Sequence, residues 1–239
     1  MNNAYNLLKS YLSFCKIKEK AKTNNHIDLS GEKWLYPTEL LPIAVLLTET
    51  PTTKVSLPKD IEVSGYFKYI TEGYRYHSPS KTTLPMLRVP ISEIERDKMT
   101  DRLLEIENGD LVGGRNAFGY VISELISNVY QHSEFSVAYI MAQKYNHLRL
   151  LELCVVDNGI SIPESLRKAG YNFNTDEKAI GEAVIHGASS KKSQEGRGHG
   201  FRSIVKLLVE GLGGYGIIVS GNGAIGLDYP KKTLYRLPS

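Results

Sequence analysis

The stretch Phe118-Gly-Tyr-Val-Ile-Ser-Glu-Leu-Ile-Ser-Asn-Val-Tyr-Gln-His132 constrains this chain more than any other. Ile122, Leu125, Ile126 and Val129 recur at three- and four-residue spacings, so residues 117–132 are expected to form a helix with one apolar stripe. Such a stripe needs a second layer to cover it. The chain supplies one directly: 136–144 and 149–157 read as two strands joined at Tyr145-Asn146-His147. Leu150, Leu151, Leu153, Val155 and Val156 give the second the composition of a buried strand. Helical patterns follow at 163–169, 175–186 and 201–210, then strands at 215–220 and 233–236, with 221–223 as a turn. This order predicts an α/β fold, a two-layer sandwich of one mixed sheet with helices on one face.

The N-terminal part reads less sharply. Tyr5–Cys15 is helix-like, His26–Leu29 a short strand, and Pro37 opens an apolar helical run through Leu40, Leu41, Val45 and Leu46. Gly65–Tyr76 is tyrosine-rich and reads as strand or loop, and Ile91–Asn108 as a charged helix. Pro79, Pro85 and Pro90 mark a boundary, which divides the chain into a small α/β domain, 1–90, and a larger one, 91–239.

Composition narrows the function classes. With 41% hydrophobic and 23% charged residues over 239 positions, the chain can bury a working core. The net charge of +3 comes from scattered basic residues, which argues against a nucleic-acid partner. No run approaches 18 apolar residues and the N-terminus lacks a signal-peptide core, so neither membrane nor secretion is expected. Cys15 and Cys154 form neither a disulfide framework nor a metal-ligand spacing. Cys154 reads as a small buried hydrophobe, and the setting expected is the reducing cytoplasm.

Three stretches carry chemistry. On the first helix, Glu124, Asn128 and His132 recur every four residues and share one face beside the apolar stripe. A carboxylate and an amide there are costly to bury without a partner, although a solvated polar edge has the same pattern. Second, the buried strand ends in Asp157-Asn158-Gly159, which sets a carboxylate at its C-terminal edge. Such an aspartate can accept a hydrogen bond from an exocyclic amino group such as adenine N6, and Gly159 permits a sharp turn; the tripeptide is also an ordinary turn. Third, Glu195-Gly196-Arg197-Gly198-His199-Gly200-Phe201 leads into an apolar-faced helix. Closely spaced glycines let successive N–H groups converge on one anion. Neither a Walker loop nor a dinucleotide fingerprint has this spacing.

Together and in this order, the three resemble the GHKL ATPase superfamily, which groups gyrase, heat-shock chaperone ATPases, histidine kinases and mismatch-repair ATPases. Glu124 and Asn128 match its N box, Asp157 and Gly159 its G1 box, and Gly196, Gly198 and Gly200 its G2 box. The resemblance covers about residues 100–239 and implies a Bergerat fold that binds ATP with Mg²⁺. It implies that Asn128 holds Mg²⁺ against the phosphate oxygens and that Asp157 receives the adenine amino group. Glu124 would be the general base for a water or an acceptor hydroxyl. His132, Ser161, Ile162, Ser190, Lys191, Arg197, His199 and Phe201, beside the boxes, complete the implied nucleotide-binding set. Residues 163–195 would be an ATP lid, with Lys191 or Lys192 reaching the terminal phosphate. Ser161 is a departure, because the family's G1 box carries a glycine there.

No phosphoacceptor-histidine helix pair precedes this part, so the layout is closer to the anti-sigma-factor serine kinases than to sensor kinases. Residues 26–50 are similar to a STAS domain, a partner of such kinases. The resemblance thus implies an ATPase or serine/threonine kinase in a signalling switch, with a regulatory partner protein; many relatives act as homodimers. A nucleotide-gated interaction module with little turnover is the alternative.

Overall fold

In a computed structural model, residues 3–72, 83–104, 114–190 and 200–238 are described. The elements in chain order are α1 (Ala4–Asn24), β1 (His26–Asp28), α2 (Pro37–Glu49), β2 (Lys54–Ser56), α3 (Ile61–Glu72), β3 (Thr83–Arg88), α4 (Glu93–Leu104) and α5 (Gly114–His132). They continue with β4 (Ala138–Tyr145), β5 (Leu150–Asp157), α6 (Ile162–Lys168), α7 (Asp176–Gly181), α8 (Gly200–Val205), β6 (Gly216–Ser220), β7 (Gly223–Leu227) and β8 (Lys232–Arg236). Both α7 and α8 run on as π-helical turns, over Glu182–His186 and Lys206–Gly211. The fold class is α/β, with parallel and antiparallel pairing both present. No helix among the described residues is long and apolar enough to cross a membrane.

The chain forms two compact units. One comprises residues 9–115 and 137–157. Within it β1 and β2 pair in parallel around α2, with His26 opposite Lys54 and Asp28 opposite Ser56. A second sheet, ordered β3-β4-β5, is antiparallel throughout. Pro85 in β3 is tolerated for two reasons: β3 is an edge strand, and its register slips between Leu84 and Leu87. The core gathers Ile27, Leu29, Leu35, Leu40, Leu41, Phe67 and Met141, all buried.

The other unit comprises 1–8, 116–136 and 158–239. Its sheet, β6-β7-β8, is an antiparallel meander. Ile180 and Val184 from α7 and its extension pack with Val205 and Val209 against Ile225 and Leu227. A neighbouring cluster sets Leu166 of α6 on Ala179 and Ala183. In α5 the buried residues are Phe118, Val121, Ile122, Ile126 and Val129, the stripe that the periodicity predicts.

Candidate functional site

Glu124, Asn128 and His132 occupy successive turns of α5 and are half-buried, at the border between its apolar stripe and its polar face. What they face is set by Gly200, the first residue of α8. A methyl group at residue 200 would lie 2.8 Å from Glu124 Oε2, 3.4 Å from Asn128 Oδ1 and 3.6 Å from Asn128 Nδ2. Only a residue without a side chain fits there with the carboxylate in place. The last glycine of the Gly-x-Gly-x-Gly stretch and the Glu-x-x-x-Asn pair therefore meet in space.

Asn128 Nδ2 is buried and has no hydrogen-bond partner among the described residues. An orphaned buried donor costs about 1–3 kcal/mol, so an amide kept in this position marks a place where an acceptor is expected. The same side chain offers Oδ1, a hard oxygen donor suited to Mg²⁺. A bare glycine, an unpaired amide N–H and a carboxylate fit an anionic phosphate group carrying a divalent cation. An apolar ligand would leave all three unsatisfied.

The C-terminal end of α5 holds the next motif. A side chain at Gly159 would run into the Ser133 carbonyl and Cβ, and Ile160 N–H donates to that same carbonyl at 2.5 Å. Gly159 is required by this approach of two backbone segments. Asp157 closes β5 opposite Ala138, at the end of the other compact unit, one peptide bond before Asn158.

Ser161 has a structural explanation. It is the N-cap of α6: its backbone is extended, and its Oγ accepts from Glu164 N–H at 3.2 Å. The hydroxyl that replaces the family's glycine satisfies one of the helix's orphan amides. Next to it, Ile162 N–H donates to Ser220 Oγ at 2.8 Å, and the Ile162 side chain packs with Leu166, Ala179 and Ala183. Phe201 likewise packs on the Ile180–Val205 cluster.

His132 Nδ1 lies 2.9 Å from Ser190 Oγ, which accepts from Ser165 Oγ at 3.0 Å. Sequence reading missed Ser165 and Ser133. Ser165 follows no motif, and Ser133 contributes its main-chain carbonyl, which no residue pattern announces. Lys191, Lys192, Gly196, Arg197, Gly198 and His199 lie outside the described residues.

No curated protein and no solved structure matches the chain significantly. Residues 113–227, which hold Glu124, Asn128, Asp157, Gly159 and Gly200, match the family model described as Histidine kinase-, DNA gyrase B-, and HSP90-like ATPase, which supports a GHKL-type ATPase domain in this stretch and ATP binding of that type.

Proposed function

We propose that this protein binds Mg-ATP through its 91–239 part and uses it in a regulatory switch, hydrolysing it or phosphorylating a partner protein on serine or threonine. The observation that carries the reading is the closeness of Gly200 to Glu124 and Asn128, with Asn128 Nδ2 buried and unpaired. Asn128 Oδ1 is the protein ligand for Mg²⁺, which when bound neutralises charge on the phosphate oxygens. Its Nδ2 donates to a phosphate oxygen. Gly200 presents its main-chain N–H to the phosphates, and Asp157 accepts from the adenine amino group. Glu124 takes the proton of a water or hydroxyl as its oxygen bonds to the γ-phosphorus, while the bond from that phosphorus to the β–γ bridging oxygen breaks and ADP leaves.

Calorimetry with ATP and Mg²⁺ tests the binding step, with Asp157→Asn as the control that should abolish the heat. Glu124→Ala should leave affinity nearly intact and cut phosphate release or transfer by roughly 10²–10⁴-fold. Absence of any heat or thermal shift with the wild type would remove the reading.

The phosphoacceptor is a protein hydroxyl in this reading. It is supported by the anti-sigma-kinase-like layout and by the parallel β1-α2-β2 unit over 26–56, which includes the STAS-like stretch 26–50. We assign residues 1–90 the regulatory role and place the switch in the cytoplasm, where two free cysteines stay reduced. Phosphotransfer assays with candidate STAS partners, read against ATP hydrolysis alone, separate kinase from ATPase.

A further inference from the structure

His132, the last residue of α5, and the two residues that follow it each grip the segment 158–190. His132 bonds Ser190, which is bonded in turn to Ser165 of α6. The Ser133 carbonyl accepts from Ile160 N–H, and the Glu134 carboxylate accepts from Lys168 Nζ at 3.0 and 3.1 Å. The last of these is an exposed ion pair and contributes little. The second ties main chain to main chain. The first joins three elements through side chains alone: the end of α5, the interior of α6 and the stretch following α7.

Hydrogen-bond inventory fixes what this chain requires. Ser165 Oγ is buried and donates its one proton to Ser190 Oγ. Ser190 Oγ then keeps its own proton and a second lone pair, so it pairs with His132 Nδ1 in either imidazole tautomer. His132 also stands one helical turn beyond Asn128, on the same face.

We infer that Ser165, Ser190 and His132 form a hydroxyl–hydroxyl–imidazole latch that fixes residues 187–190 to α5 and α6 and thereby positions the Glu124/Asn128 face. His132 and Ser190 are then positioning residues, acting through the helix that carries Asn128. The latch exists without nucleotide; only its effect on affinity rests on the ATP reading.

The test uses the full chain in two measurements. Hydrogen–deuterium exchange of a peptide covering 187–190, without nucleotide, should speed up on the order of 2- to 10-fold in Ser190→Ala and in His132→Gln. His132→Asn should stay close to wild type, since its amide stands at the δ position and the Gln amide does not. Ser165→Ala should behave as Ser190→Ala does. Should it fail to fold, Ser190→Ala, at a half-buried site, keeps the test standing. The second measurement is the ATP dissociation constant, which should rise by a similar factor in Ser190→Ala and His132→Gln and recover in His132→Asn. Equal exchange in all variants, or Asn and Gln behaving alike at 132, overturns the latch. If wild type takes no ATP while the exchange pattern holds, the ATP reading fails and the latch stands.

Discussion

At the scale of single residues, two glycines in this domain do opposite work, and alanine at each should separate stability from function. At Gly200 the obstacle to a Cβ is Glu124 Oε2, the far end of a flexible side chain. The protein can relieve that contact by swinging the carboxylate aside, which is cheap for the fold and damaging for the site. Gly200→Ala should therefore melt within about 2 °C of wild type and weaken ATP binding at least tenfold, about 1.4 kcal/mol. At Gly159 the obstacle is the Ser133 main chain, which cannot move without dragging the end of α5. Gly159→Ala should cost about 3 kcal/mol, overpacking plus the Ile160–Ser133 hydrogen bond, and lower Tm by roughly 6–12 °C. Thermal unfolding alongside ATP calorimetry checks both, and the same ranking for the two variants would refute the contrast. The sequence announced both glycines, because Gly-x-Gly-x-Gly and Asp-x-Gly are visible patterns. It did not announce the Ser133 approach to Gly159, because a close approach between two distant backbone segments leaves no trace in local composition.

At the scale of elements, Ser161 shows how a departure from a motif can be absorbed by a helix end. As N-cap of α6 its hydroxyl serves Glu164 N–H. Restoring the family's glycine should therefore cost only a few tenths of a kcal/mol, whereas Ser161→Ala should cost about 1 kcal/mol. Urea unfolding of the two variants gives the order, and a glycine variant less stable than the alanine variant would contradict the capping role. The elements legible beforehand were those with strong periodicity: α5, β4, β5, α7 and α8 lie within a few residues of their expected bounds. Three were not. β7, Gly-Ala-Ile-Gly-Leu, has two glycines and only two large apolar residues, so its strand state comes from burial between β6 and β8. β3 carries Pro85 and passed for a boundary, because the edge position and register slip that admit a proline are tertiary facts. α3 holds Gly65, Tyr66 and Tyr69, a β-like composition overridden by packing of Phe67 into the core.

At the scale of the whole molecule, the chain passes between its compact units after residues 8, 115, 136 and 157, so each unit draws on residues from both sides of 90. Hydrogen bonding between β3 and β4 joins sequence-distant stretches, and prolines at 79, 85 and 90 carry no information about such pairing. Each unit accordingly needs its own probe. The unit built on 9–115 and 137–157 has one: Trp34, the single tryptophan, stacks on Tyr66 with ring centroids 5.0 Å apart. Beside it, Glu152 accepts from Thr38 Oγ1 at 3.0 Å and from Tyr145 OH at 3.4 Å. Burial pushes the Glu152 carboxyl above its ordinary pKa despite those bonds, and the nearby Glu39 adds to the rise. Burial raises Glu39 as well. Below the unfolded pKa both states hold the proton and these groups leave stability unchanged. Between the unfolded and the raised folded values, the native state keeps protons that the unfolded chain has lost, so stability falls as pH rises. Urea unfolding followed by Trp34 fluorescence should thus show a lower midpoint at about pH 8 than at about pH 5. Glu152→Gln keeps an acceptor for one of the two hydroxyls, offers an N–H to the oxygen of the other and removes the ionisation, so it should raise the midpoint at pH 8 and flatten the dependence. Glu39 preserves part of the slope. A variant as steep as wild type would show that the Glu152 charge is already fully compensated at the start of α2.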